Sequence, residues 1–352
     1  MIRRARSSAL TAPAVSGHAR TMALHTILTP GQLAEAARKF GLPPPDRAQP
    51  EPRGRTNTSY HLQVGADRWF LRLAEGKTEA DVGFEAAVLG FLFDAHFPVP
   101  RLVLATDGRP WTEVAGRPAM LFAFAPGEAV DRAGAGPDRC RRVGEQLGRL
   151  HELSAGFTGE RENPYGPARL AAWLEEIAAS PGIDAEARAA LPLLREELAA
   201  AAGLPNAPRG LCHGDLFVDN VLWVGDRVSY VLDWEMACIA PFAYDLAVTI
   251  DAWCFTNRHE PARVRALVEG YRSRRRLDAA TVEALPAWAR WAALRFALSR
   301  LHATLGPALG PERVVRKDWR RYRDRVTSLR ELGADGYREL LGTGARGLTA
   351  RR

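Results

Sequence analysis

The chain has 352 residues, 47% hydrophobic and 25% charged, enough to bury a large core and to divide into two lobes or two small domains as a soluble globular protein does. No apolar run is long enough to span a bilayer, and Cys140, Cys212, Cys238 and Cys254 form no CxxC pair, which sets aside an integral membrane protein, a zinc ribbon and a disulfide-stapled scaffold and favours the cytoplasm. The net charge of +7 invites nucleic acid, but Arg3, Arg4, Arg6 and Arg20 supply four of those charges and arginine elsewhere alternates with Asp and Glu, so no nucleic-acid partner is expected.

Residues 1–21 carry Arg and Ser but no acid; they read as a transit peptide or as a start assigned too early, with Met22 as the true opening. The second reading is preferred, and the segment is expected to be disordered. After Thr29-Pro30, Leu33, Ala36, Ala37 and Phe40 recur at helical spacing until Gly41 and three prolines stop them. A polar linker is expected from there through Arg55. "TSYHLQV" and "RWFLRLA", separated by Gly65-Ala66-Asp67, read as an antiparallel hairpin. A helix from Thr78 to Ala95 follows, and "RLVLAT", "PWTEVA" and "PAMLFAFA" add three strands. From Pro126-Gly127 onward helical periods dominate, as in "CRRVGEQLGRLHELS" and "ARLAAWLEEIAA", and Arg274 to Arg276 read as exposed helix surface. The expected class is α+β: a small antiparallel-sheet lobe over 22–123, a hinge near Phe122 to Gly127, and a larger, mainly helical lobe over 124–352, with ligands at the boundary.

"LCHGDLFVDN", residues 211–220, sets a polar loop between apolar stretches. The next segment, "VLWVGDRVSYVLDW", is two short strands around Gly225-Asp226. Antiparallel pairing makes neighbours of Asn220, before the first strand, and Asp233, after the second. An amide oxygen and a carboxylate at one point, with Asp215 just upstream, suit Mg2+ better than zinc or copper. Asp, Asn five positions on, and Asp after a hairpin is the pattern of the catalytic loop in protein-kinase-like phosphotransferases. There Asp215 would take the hydrogen bond of the attacking hydroxyl, while Asn220 and Asp233 hold Mg2+ on the ATP phosphates. The blander reading is that Asp215 and Asn220 cap a turn. His213 is expected to hold the loop backbone rather than act as a base, Asp245 to start a helix or brace the loop, and Asp219 to meet substrate or solvent.

These residues resemble the aminoglycoside phosphotransferase and choline kinase superfamily, and within it the bacterial homoserine kinases of the protein-kinase-like type. "HGDLFVDNVLW" looks like that group's HADLFPDNVFF, "YDLAVTIDAWCF" like its YDxAxxxNAWCF, and "ALRFALSRLHA" like its ALRFWLSRLYD. "RTNTSYHL" is similar to ENTNYFV, "GRPAMLFAFAPGEAV" to GxPAAxVxFLPGxxV, and "RKDW" to KDP, so the likeness runs from about Ala23 to Leu332. It implies the two-lobed kinase-like fold, ATP and Mg2+ as cofactors, the strand-rich lobe as the nucleotide lobe, and a small hydroxylated substrate, foremost L-homoserine. It places Arg72 where such folds put a Lys on the phosphates and Glu85 as its ion-pair partner; an exposed strand cation and a helix acid are the plainer readings. Asn57 to Ser59 fall in the loop over the phosphates, and the backbone of Ala123, Phe124 and Ala125 faces adenine. Asp251 stands for the Asn of NAWCF and would meet an amino group, while Arg295 and Arg300 would meet a carboxylate or, otherwise, face water. The alternatives are an aminoglycoside or sugar kinase of the same superfamily and a non-catalytic pseudokinase. Oligomeric state is not written in the sequence.

Overall fold

Thr29 closes a capping box with Gln32, and Pro30 occupies the first turn where its missing N–H costs nothing, so helix α1 (Pro30–Lys39) begins there. The computed structural model describes residues 26–51, 57–305 and 318–342; the expectation for residues 1–21 lies outside the described residues.

The stretch after α1 is not all linker. Arg47–Pro50 forms strand β1, paired antiparallel with β2 (Thr58–Val64), with Arg47 opposite Gln63. It escapes a sequence reading because it is a sheet edge, where polar residues and a proline are tolerated. β2 turns into β3 (Asp67–Leu73), helix α2 (Glu79–Asp94) follows, and β4 (Leu102–Val103), β5 (Thr112–Val114) and β6 (Arg117–Ala123) complete an antiparallel sheet of order β1-β2-β3-β6-β4 with β5 on β6. Alternation sorts its side chains. Ala119 and Leu121 join Tyr60, Leu62, Leu71 and Leu73 in an apolar cluster under α1, while Met120 and Phe122 turn to the opposite face. There they meet Val82, Val88 and Leu92 of α2, in a cluster continuous with the rest of the chain.

Helices α3 (Pro137–Leu153), α4 (Pro167–Ala179), α5 (Ala185–Ala200), α6 (Phe242–Cys254), α7 (Pro261–Arg274), α8 (Ala279–His302) and α9 (Arg320–Leu340) dominate the chain from Pro137 onward. α6 is buried on every side, and its mostly apolar sequence also takes Asp245, Thr249 and Asp251 into the interior. α3 and α7 touch backbone to backbone: a Cβ on Gly144 would lie 1.9 Å from the Leu267 carbonyl oxygen, so only glycine permits the approach. The 274–276 arginines divide. Arg274 and Arg276 are exposed, but Arg275 lies half-buried with its Cζ 4.4 Å from the Phe242 ring and donates to the His151 carbonyl, because the helix ends just before it. Two small sheets interrupt the helices. β9 (Val221–Val224) pairs with β10 (Arg227–Val231) and with β7 (Glu128–Ala129), and β8 (Arg209–Cys212) pairs with β11 (Cys238–Pro241). Antiparallel strands first and helices after is the α+β class.

Candidate active site

β8 ends at Cys212, and the chain turns at Gly214, where φ is +74° and a Cβ would come within 2.9 Å of the Met236 carbonyl oxygen. Asp245, in the first turn of α6, holds that turn: it accepts the His213 N–H and the Gly214 N–H, each at 2.8 Å, and Nε2 of His151 from α3 at 3.1 Å. Nδ1 of His213 accepts the Asp215 N–H at 3.2 Å, so Nε2 carries the proton and donates to the Leu232 carbonyl at 3.0 Å. Burial opposes the Asp245 charge, but His151, His213 and the Gly214 N–H outweigh it and hold the carboxyl below the usual range. Burial also pushes both imidazoles down, with Asp245 offsetting only part of it, so they stay neutral braces.

The β9–β10 hairpin pairs Val221 with Val231, and the Leu232 N–H extends the ladder to the Asn220 carbonyl at 2.8 Å. Asn220 and Asp233 therefore flank the open end of one hairpin. Asn220 donates its side-chain amide to the Asp215 carbonyl at 2.8 Å, which leaves Oδ1 available to a cation. Asp233 has a left-handed backbone, φ 63°, a conformation Asp reaches more readily than most residues. Its carboxyl is pushed well above the usual range by burial, then by the charges of Glu235 and Asp215, with Arg72 pulling the other way. Crowded carboxylates beside an amide oxygen are hard donors that a divalent cation would relieve, so this set fits such an ion.

Between the first sheet, α2 and the segment just after Asp233 lies a narrow cleft lined by Asn57, Arg72, Lys77, Glu85 and Glu235 among others. Arg72 projects from β3 to the α2 side and meets Oε2 of Glu85 at 2.6 Å, both nearly enclosed. Burial alone would lower that guanidinium, but Glu85, Asp233 and Glu235 more than offset it and the net direction is up. Asn57 donates to Oε2 of Glu235 at 2.9 Å and accepts the Glu75 N–H at 3.2 Å. Ser59 is not in a loop: it lies in β2 opposite Arg72, buried, because the hairpin begins at Thr58. The Ala123 and Phe124 N–H groups are already donated to the Arg101 and Arg68 carbonyls at 2.9 and 3.1 Å, so of these three residues Ala125 keeps an N–H for a base. Lys77, with Nζ 3.8 Å from Glu235, and Glu235 itself were not anticipated. The available signals were the scarcity of lysine, found only at 39, 77 and 317, and the acid two places beyond Asp233.

On the far side of Asp215, Arg295 of α8 is buried with Nη1 3.6 Å from Asp215 Oδ1 and its Cζ between the Tyr165 and Phe296 rings, at 3.9 and 3.8 Å. The neighbouring stripe of Trp291, Leu294, Leu298 and Leu301 is buried too, so Arg295 does not face water. Arg300, half-buried, donates to the Tyr322 hydroxyl at 3.1 Å. Asp251 is buried on α6 and accepts a hydrogen bond from Nε2 of His259 at 2.9 Å, while its Oδ2 has no partner among the described residues. It lies about 9 Å along the helix axis from Asp245.

Residues 47–294 match the model of the phosphotransferase enzyme family. The chain is 37% identical over 276 residues to a homoserine kinase of Gluconacetobacter diazotrophicus, covering 75% of this chain and 83% of that one. It is 31% identical over 331 residues to a homoserine kinase of Rhodopseudomonas palustris, covering 89% and 98%. Among solved structures it resembles amicoumacin kinase hAmiN in complex with AMP-PNP, Ca2+ and Ami, with a TM-score of 0.62 and 16% identity over 83% of this chain and 89% of that one. That last likeness is one of fold.

Proposed function

We propose L-homoserine as the acceptor, starting from kinship: this chain belongs to the phosphotransferase enzyme family and is a small-molecule kinase. The reaction is transfer of the terminal phosphoryl group of ATP to the homoserine side-chain hydroxyl, giving O-phospho-L-homoserine. The observation that carries it is the convergence of Asp215, Asn220 and Asp233 beside arginines. Asn220 bonds the Asp215 carbonyl at 2.8 Å, and Arg295 stands 3.6 Å from the Asp215 carboxylate.

Asp215 accepts the hydrogen bond of the attacking hydroxyl and so orients it toward the phosphorus. Asn220 Oδ1 and Asp233 would hold Mg2+, which, with the nucleotide bound, neutralises charge on the phosphates. Arg72, held by Glu85, reaches the same phosphates, with Lys77 a second cation at the cleft, Asn57 and Ser59 at its rim, and the Phe122–Gly127 connection beside the base. His213 and Asp245 keep the loop in place. Asp251 takes the substrate ammonium, and Arg295 and Arg300 face its acidic end. The chain divides between 123 and 124 into nucleotide and substrate halves. ATP chemistry and four free buried cysteines suit the cytoplasm, and no helix among the described residues is long and apolar enough to cross a membrane. Aminoglycosides are polycations and would need carboxylates where Arg295 and Arg300 stand.

Purified protein with Mg-ATP and a panel of L-homoserine, L-serine, choline and an aminoglycoside, read by ADP release, tests this. L-homoserine should be the preferred acceptor, and Asp215→Asn should lose about 10²–10⁴-fold in kcat. Turnover of another alcohol with silence on L-homoserine would overturn the substrate and keep the class.

A further inference from the structure

α9 is rich in arginine, and most of its cations have obvious partners. Arg320 pairs with Asp184 and Glu186, Arg330 with Glu196, and Arg338 with Glu283. Arg325 does not. It is fully buried, and among the described residues Nε, Nη1 and Nη2 all lack a hydrogen-bond partner. A folded chain almost never encloses a guanidinium without a counter-charge, because dehydrating the cation is costly and only an anion returns most of that free energy.

What surrounds Arg325 is aromatic and cationic. Its Cζ lies 4.1 Å from the Tyr322 ring and 4.8 Å from the Phe255 ring. Those same two residues carry further arginines. Arg300 has its Cζ 4.0 Å from the Tyr322 ring, and Arg132 donates Nη1 to the Phe255 carbonyl at 3.1 Å. Ring faces attract cations, but more weakly than a carboxylate. Among the described residues no acid forms a salt bridge with any of the three. The cluster borders the catalytic loop through Phe296, whose ring centre lies 5.0 Å from that of Tyr322 and 5.1 Å from that of Phe217. Burial lowers the Arg300 guanidinium to about 10, with Tyr322 and Asp215 opposing and Arg325 and Arg295 adding to it, while burial and then Arg325 lower Arg132, which also feels Asp219. Three unneutralised guanidiniums at one place, next to Asp215, describe a site completed by an anion.

We propose that Arg325 binds the α-carboxylate of the acceptor amino acid, with the half-buried Arg132 and Arg300 as its outer contacts. This rests on the reading of the acceptor as an amino acid. It adds to the α8 pair, which faces the same acidic end, the residue that makes the main contact: Arg295 also meets Asp215 and Arg300 also donates to Tyr322, whereas the Arg325 fork is unengaged among the described residues. The opposite charge of the zwitterion has a matching unpaired acceptor in Oδ2 of buried Asp251, on the helix that leads into Phe255.

The test compares L-homoserine with its carboxamide, which keeps the hydroxyl and the ammonium but removes the negative charge. In wild type the carboxamide should be poorer by about 100-fold in kcat/KM, and Arg325→Met should raise KM for L-homoserine by a similar factor, about 100-fold, with KM for ATP unchanged. In the variant the two acceptors should become nearly equal, and Arg325→Lys should recover part of the discrimination. Equal losses on both acceptors, or an unchanged KM for L-homoserine, would overturn the assignment. L-2-aminobutyrate, which cannot be phosphorylated, should raise the melting temperature of wild type and not of Arg325→Met. Stabilisation by inorganic phosphate with none by L-2-aminobutyrate would instead make the cluster a phosphate site and sink the proposal. If Arg325→Met does not fold, Arg132→Met and the wild-type acceptor comparison decide the question in the same way. Should wild type ignore L-homoserine but use another carboxylate-bearing alcohol, the acceptor falls while Arg325 is tested on that alcohol and its amide.

Discussion

Asp245 has no exposed surface and three donors, and its neighbours His151 and His213 are equally enclosed. Their titrations pull stability in the same direction from different pH ranges. The Asp245 carboxyl is held down, so its contribution is present above the unfolded value of about 3.9 and is lost as pH falls through its lower folded value. The imidazoles are also pushed down, so below about pH 6.5 the unfolded chain takes up protons that the folded chain refuses. These three groups therefore withdraw stability as pH falls below about 6.5, well before carboxylates protonate in the unfolded chain, and they work against Asp233, whose raised carboxyl titrates in the opposite sense. His151→Gln keeps a side-chain donor for Asp245 and removes one titrating group. Melts of this variant should show a shallower decline between roughly pH 6.5 and 5, whatever its absolute stability. A slope equal to wild type would mean His151 does not couple folding to protons.

At the scale of elements, β3 and α2 are joined through one buried ion pair, Arg72 with Glu85 at 2.6 Å. Strand alternation sends Arg72 to the α2 face, and the Thr78 cap fixes where α2 starts and hence where Glu85 comes round. Removing one partner strands the other charge, so Glu85→Ala should cost about 3 kcal/mol in denaturant unfolding and raise KM for ATP, while Glu85→Gln, which can still accept a hydrogen bond, should cost less. A loss of stability without any change in KM for ATP would confine the pair to a structural role. Elements of this kind were legible in the sequence because their determinants are local. The hairpin that brings Asn220 to Asp233 is specified by Gly225-Asp226 and the alternating residues around it. β8 and β11 were not legible: Cys212 pairs with Cys238 across an intervening loop and hairpin, and nothing local in either short strand names its partner. Arg325 escaped for a related reason. Its helix reads as a solvated Arg/Glu surface, and only packing against Tyr322 and Phe255 reveals which arginine is enclosed.

At the scale of the whole molecule, the sheet and the helices are bound at a seam that is itself the candidate site. Asn57 reaches Glu235 at 2.9 Å, Arg161 bridges Asp81 and the Glu235 carbonyl at 3.1 and 3.0 Å, and the Val231 N–H meets the Pro98 carbonyl at 2.7 Å. Asp233 sits in that seam with Glu235 and Asp215 crowding it, and its carboxyl is raised, first by burial. The folded protein therefore loses stability as pH rises from the unfolded value of about 3.9 through the higher folded one, because a charge at this position costs more in the folded chain than in the unfolded one. Asp233→Asn removes that charge, so the ligand-free variant should melt at or above wild type. A non-hydrolysable ATP analogue with Mg2+ should reverse the order. At about 100 times Kd, wild type gains about 2.7 kcal/mol, on the order of 4 °C for a chain of this length. Asp233→Asn should gain less, and nothing further when Mg2+ is added to the analogue. Equal Mg2+-dependent gains in the two proteins would remove Asp233 from the metal site. A ligand-free variant melting far below wild type would make its carboxylate a structural anchor of the seam instead.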